Sequence, residues 1–142
     1  FTDSGVTMTI EDLGRYAQRY GVALNFNPNF PINTLLLMRA ATGVQLRQPE
    51  RFIEFIDCLF KALWVDGRDL NDPVALTAAL AERHFSTDEI LALSNDEEVK
   101  ALLKDTTEQA IRRGVFGAPS MFVGDQLFFG QDRLDFVREA LA

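Results

Sequence analysis

The 142 residues suit one domain of the usual ~100–150 residues, and a 47% hydrophobic share is enough to build a core. A net charge of −7, with Lys and Arg scattered along the chain, argues against a nucleic-acid or anionic-membrane surface as partner. The longest apolar run, Leu35 to Met38, is far short of the ~20 residues that span a bilayer, and the lone Cys58 allows neither an intrachain disulfide nor a Cys-x-x-Cys motif.

Val6, Ile10, Leu13, Tyr16, Ala17 and Tyr20 recur at helical spacing, with Asp3 or Ser4 as N-cap and Gly21 as stop. Residues 25–33 hold two prolines and four asparagines and read as a loop with turns. Asn33 is expected to cap a short helix, Thr34 to Ala41, apolar nearly all round and therefore buried, with Gly43 ending it. Pro49 opens the next helix, where its missing N–H does no harm; a broad stripe from Phe52 to Trp64 follows and stops near Gly67. Asp72-Pro73 repeats the cap-then-proline start for a helix to about Arg83. Ser86 or Thr87 opens a short helix ending near Leu93, and Asn95 with Glu98 reads as a capping box for a helix to Arg113.

Gly114 then stands where a left-handed C-cap needs no Cβ, and a Gly117-Ala118-Pro119 corner follows. Met121-Phe122-Val123 and Leu127-Phe128-Phe129 flank the turn pair Gly124-Asp125, which reads as a hairpin. Both runs are apolar on both faces, so helices are expected to cover the hairpin on each side. A last amphipathic helix starts near Asp132. The expected layout is a single domain over residues 1–142, mainly helical through residue 112, with a hairpin and helix over 113–142.

Two blocks, Val115-Phe116-Gly117-Ala118-Pro119 and Phe129-Gly130-Gln131-Asp132-Arg133-Leu134, are joined by a third. That one runs from Tyr20-Gly21-Val22 through Phe26 to Phe30, then Arg39. On these residues, and over essentially its whole length, the chain resembles the C-terminal part of the glutathione-dependent 2-hydroxychromene-2-carboxylate isomerases. Those are close relatives of kappa-class glutathione transferases and more distant ones of bacterial thiol oxidoreductases. The resemblance implies an α/β fold, thioredoxin-like of the DsbA/kappa type, with a helical insertion and a sheet incomplete in this chain. It also implies a strand–helix–strand unit upstream of Phe1 that carries the catalytic serine. Neither Ser4 nor Ser120 stands in that serine's context, so no catalytic residue is assigned here, and weak or no turnover is expected of these 142 residues alone.

By itself, a proline before an apolar strand is a trans strand-start residue. The resemblance implies a cis bond into Pro119, with the main chain of Ala118 pairing with the cysteinyl backbone of glutathione as if it were an added strand. Phe129, Gly130, Gln131 and Asp132 read either as a strand end with an Asp N-cap or, by the resemblance, as the remaining glutathione contacts at a helix start. Gln131 leans toward the isomerases, because kappa-class relatives carry Ser there. Phe30 is carried over as a substrate-side aromatic lacking the hydroxyl that some relatives have; the plain alternative is a core phenylalanine. Arg39 and Trp64 border the acceptor pocket or are structural, and neither is assigned to a site.

Cys58 reads as a buried structural thiol, since no basic neighbour lowers its pKa. A single His84 gives no His-based metal site, Asp96-Glu97-Glu98 reads as a solvated first turn, and no phosphate-binding Gly loop is present.

Three readings follow. The first is a cytoplasmic, glutathione-dependent isomerase interconverting 2-hydroxychromene-2-carboxylate and trans-o-hydroxybenzylidenepyruvate by transient thiolate addition. Its partners are glutathione and a small aromatic carboxylate, with a homodimer compatible. The second is a DsbA-like thiol oxidoreductase or kappa-like transferase. The third is a non-catalytic remnant binding a partner through an open sheet edge.

Overall fold

The computed structural model describes residues 3–142. The expected cap at Asp3 or Ser4 and the side chain of Val6 lie outside the described side chains, which begin at Thr9. The described residues form α1 (Asp3–Tyr20), α2 (Leu35–Arg47), α3 (Phe52–Trp64), α4 (Pro73–Ala81), α5 (Thr87–Asn95) and α6 (Glu97–Arg112). The strands β1 (Ser120–Val123) and β2 (Gln126–Phe129) and the helix α7 (Leu134–Leu141) complete the chain. Short 3-10 turns, Pro49–Arg51 and Gln131–Arg133, lead into α3 and α7. Two compact units result, one ending at Lys100 and the other spanning Ala101–Ala142, so their boundary falls within α6.

The first unit owns the apolar core. Leu37 and Val44 of α2, Phe55 and Leu59 of α3, Leu80 of α4 and Ile90 of α5 are buried together. Phe55 is fully covered and meets the ring of Phe85 edge-on at 5.1 Å between centroids. The caps are those the sequence announces at short range. Asp72 Oδ1 accepts from the Val74 N–H at 3.2 Å, and the Ser86 hydroxyl accepts from the Glu89 N–H at 3.4 Å. One cap sits a residue later than expected. Asp96, not Asn95, accepts from the Val99 N–H at 3.0 Å, while the Asn95 amide turns back to the Leu91 carbonyl.

Gly43 does not end α2. The helix passes through it to Arg47, and Gly43 is buried because α5 lies against it. A Cβ there would stand 2.8 Å from Leu93 Cβ, so the glycine serves close packing rather than termination. Nor is α2 buried all round. Leu37, Ala40, Ala41 and Val44 face inward, whereas Leu35, Leu36 and Met38 are exposed, because only one side meets α3 and α5.

The start of α3 is tied to the turn after α4 by Arg51. Its guanidinium donates to the carbonyls of Arg83 (2.9 Å) and His84 (3.4 Å), pairs with Glu54 at 3.1 Å, and lies 3.8 Å over the Phe85 ring. His84 there has a positive φ of 56°, and the Phe85 N–H closes the helix end on the Leu80 carbonyl at 3.0 Å.

In the second unit, β1 and β2 pair antiparallel from Ser120↔Phe129 to Val123↔Gln126 around the Gly124-Asp125 turn. The strands are less covered than their composition suggests. No strand residue is buried, and Phe129 is 42% exposed. Two four-residue strands and the eight-residue α7, which packs on β1, offer too little surface to enclose them. Arg113 supports the hairpin from outside, with its guanidinium 3.5 Å over the Phe122 ring and a hydrogen bond to the Gly124 carbonyl at 3.3 Å.

Candidate functional site

The Gly117-Ala118-Pro119 corner is built by two local contacts. The Ser120 hydroxyl donates to the Gly117 carbonyl at 2.6 Å, so this serine is spent on holding the corner. A Cβ on Gly117 would come within 2.7 Å of the Phe129 ring, which lies across the corner only because position 117 is glycine. Phe116, 75% exposed, packs its ring on Phe129 with centroids 4.6 Å apart. The bond from Ala118 into Pro119 is cis. The Pro119 carbonyl accepts from the Gly130 N–H at 3.0 Å and so extends the ladder by one rung. Ala118 is exposed, and its N–H and C=O have no partner among the described residues. A free main-chain donor and acceptor at a strand's end is what an extended peptide needs in order to pair.

Gly130 follows at φ 105° and ψ 147°, a conformation reserved for glycine, and it is buried. Asp132 Oδ1 lies 2.5 Å from where a Cβ on Gly130 would be, so the carboxylate rests against bare backbone. The other oxygen pairs with Arg133 Nη1 at 2.6 Å. Asp132 is therefore not the helix cap that a plain reading of the sequence suggests. It lies within the 3-10 turn, and no side chain caps α7. Phe129, Gly130, Gln131 and Asp132 come together with Ala118 within one unit, and Gln131 is exposed.

Phe30 lies in the other unit, where three asparagines shape its loop. The last carbonyls of a helix lack intrahelical partners, and residues 25–29 supply them for α3. The Asn25 N–H donates to the Trp64 carbonyl at 2.6 Å, and its side-chain amide donates to the Val65 carbonyl at 2.7 Å. Asn27, fully buried, donates to Leu63 (2.8 Å) and Arg68 (2.9 Å) and accepts from the Asn29 N–H at 2.8 Å. These bonds carry Phe26 and Phe30 to Trp64. The centroid separations are 5.5 Å for Phe26–Phe30, 6.4 Å for Phe26–Trp64 and 6.2 Å for Phe30–Trp64.

Phe30 is 55% exposed and Phe26 51%, so Phe30 is a surface aromatic and not a core residue. In the sequence Phe26 stands only within a block of family resemblance, and Trp64 is assigned to no site. The i, i+4 spacing of two phenylalanines in an asparagine-rich loop was the available signal for the first. Nothing local announces the second. Arg39, on α2, is half-buried.

Cys58 is buried, with its thiol donating to the Ala79 carbonyl at 3.2 Å. Burial pushes that thiol up from its ordinary value, the opposite of an activated nucleophile. Among the described residues no group of three or more His, Cys, Asp or Glu could hold a metal ion. No described helix is long and apolar enough to cross a membrane.

A cis-proline corner leading into a hairpin and a final helix, preceded by a helical unit, defines the class: the chain belongs to the DSBA-like thioredoxin domain family, matched over residues 4–142. Among individual proteins, it is 29% identical over 136 residues to the 2-hydroxychromene-2-carboxylate isomerase of Sphingobium xenophagum. That match covers 96% of this chain and 68% of the relative. The isomerase of the same name from Pseudomonas sp. (strain C18) is 32% identical over 138 residues, covering 92% of this chain and 59% of that one. Glutathione s-transferase kappa 2 of Caenorhabditis elegans is 29% identical over 144 residues, with 93% and 64% covered. A solved structure of a 2-hydroxychromene-2-carboxylate isomerase superposes with a TM-score of 0.77 at 24% identity, over 96% of this chain and 65% of that one, which shows a shared fold. This chain thus spans roughly two thirds of the proteins it matches.

Proposed function

We propose that this chain is the helical and C-terminal portion of a cytoplasmic, glutathione-dependent isomerase. Its substrate would be a small aromatic carboxylate of the 2-hydroxychromene-2-carboxylate type. The observation that carries the glutathione assignment is the exposed main chain of Ala118, whose N–H and C=O are unpaired among the described residues at the end of β1. The residues present fit a tripeptide with an acidic and an ammonium end. Ala118 would hold its central backbone as a short added strand. The bare backbone of Gly130 seats the Asp132 carboxylate, and the Asp132–Arg133 pair offers one charge of each sign to the γ-glutamyl head. Bound glutathione would supply a thiolate nucleophile. The residues of this chain bind and orient it, Phe129 covers one side of the corner, and Phe30 offers an aromatic face to substrate. The relatives named as isomerases support this choice of reaction.

Calorimetric titration of the 142-residue chain with glutathione tests the assignment. Saturable heat is expected, weakened when Ala118 is replaced by proline, which removes the donor N–H. Absence of heat, or equal heat from the variant, overturns it. The kappa-transferase relatives favour a second reading that shares the same glutathione contacts. Isomerisation of the chromene carboxylate by the natural polypeptide, followed spectrophotometrically, separates the two.

A further inference from the structure

We infer that Phe116 is a further binding residue of the cis-proline corner, its ring meeting the cysteinyl sulfur of bound glutathione. The inference rests on the glutathione reading above and deepens it. Phe116 stands two positions before Ala118, whose main chain is unpaired among the described residues. Across a ladder, diagonal neighbours two positions apart lie about 7–8 Å from each other, a gap that an aromatic side chain spans. A residue paired with Ala118 therefore brings its side chain within reach of the Phe116 ring.

The ring is held from two directions. Its backbone follows a closed helix end, where the Gly114 N–H donates to the Ile111 carbonyl at 2.9 Å and the Val115 N–H to the Ala110 carbonyl at 3.0 Å. Its side chain leans on Phe129, with ring planes inclined at 49°. Phe129 is in turn seated over Gly117, where a Cβ would collide with it. This packing engages one flank of Phe116 only, since three quarters of the residue stays open. So little of it is buried that it adds little to the stability of the unit. A ring fixed in this way before a ligand arrives lowers the ordering cost of binding. Glutathione carries one group that suits it. Both ends of the tripeptide are charged, whereas the cysteinyl sulfur is soft and polarizable and gains from an aromatic neighbour. That sulfur belongs to the central residue, the one paired with Ala118.

Calorimetric titration of the chain with glutathione and with γ-glutamyl-alanyl-glycine, which lacks only the sulfur, tests the contact. The wild type should bind glutathione about two- to twelvefold more tightly than the alanyl peptide. Phe116→Leu, which keeps apolar bulk without a ring, should lose that preference and still bind the alanyl peptide as the wild type does. Phe116→Tyr, which keeps the ring, should retain the preference. A purely structural role would make Phe116→Leu weaken both peptides alike, and that result overturns the inference. Equal binding of the two peptides by the wild type, a leucine variant that keeps the preference, or a tyrosine variant that loses it overturns it as well. A wild type that binds neither peptide refutes the glutathione reading, and this contact with it. Binding of both peptides without a preference set by Phe116 leaves that reading standing and removes the contact alone.

Discussion

The two units solve the problem of holding a shape by different means. The first buries Phe55, Leu80, Ile90 and Val44 almost completely. In the second only Gly130 is buried, and its form rests on ring contacts, a hairpin ladder and glycines placed where a Cβ would collide. About 40 residues seldom enclose a core of their own, so local geometry has to carry what burial carries elsewhere. Stability is therefore concentrated in one unit, and the backbone proposed to face glutathione lies in the other. Substitutions should divide accordingly.

The largest expected effect is in the core. Phe55→Ala should cost about 3–5 kcal/mol in urea unfolding, and a loss below about 1 kcal/mol would show that the first unit is not the stable one. Next is Asn27→Ala, which orphans the buried carbonyls that its amide satisfies. A cost of about 1–3 kcal/mol is expected, together with a moved Trp64 indole resonance; a silent resonance would detach the loop from Trp64. Gly130→Ala should act the other way, weakening glutathione binding at least about tenfold through its φ of 105° and the clash with Asp132, while urea unfolding of the helical unit barely changes. If it unfolds the whole chain instead, the division between units fails.

The smallest effect concerns pH. Burial raises the Cys58 thiol above its ordinary 9.0, so the unfolded chain loses its proton first as pH rises. The stability linked to this thiol is therefore complete below pH 9.0 and declines above it, by at most about 1.4 kcal/mol per pH unit. The Cys58→Ala variant, compared by thermal melts, should lack that added decline.

What could be read from the amino acids was what acts over a few residues. Asp72 before Pro73, Ser86 before Glu89 and the Gly124-Asp125 turn each declare their geometry within four positions. Gly43 misled because a glycine at a helix end and a glycine under a crossing helix look alike until Leu93 is brought over it. Asn95 and Asp96 compete for one cap with similar side chains, and only the fold chooses. The residues that the family resemblance assigns to glutathione, Ala118 and Phe129 to Asp132, all lie in one unit. The packing of Phe26 and Phe30 on Trp64 was not legible, because asparagine bonds to carbonyls some forty positions away bring them together. Coverage of the hairpin was overestimated because composition reports what a strand prefers, not whether enough surface exists nearby.

The grip of Arg51 on the turn after α4 has one more implication. A single planar fork reaches two backbone oxygens, a carboxylate and a ring face together. An ammonium of equal charge lacks that flat, many-pronged form. Lysine at this position would leave the electrostatics intact and still let the two segments drift apart, so what joins them is the outline of the side chain rather than its sign.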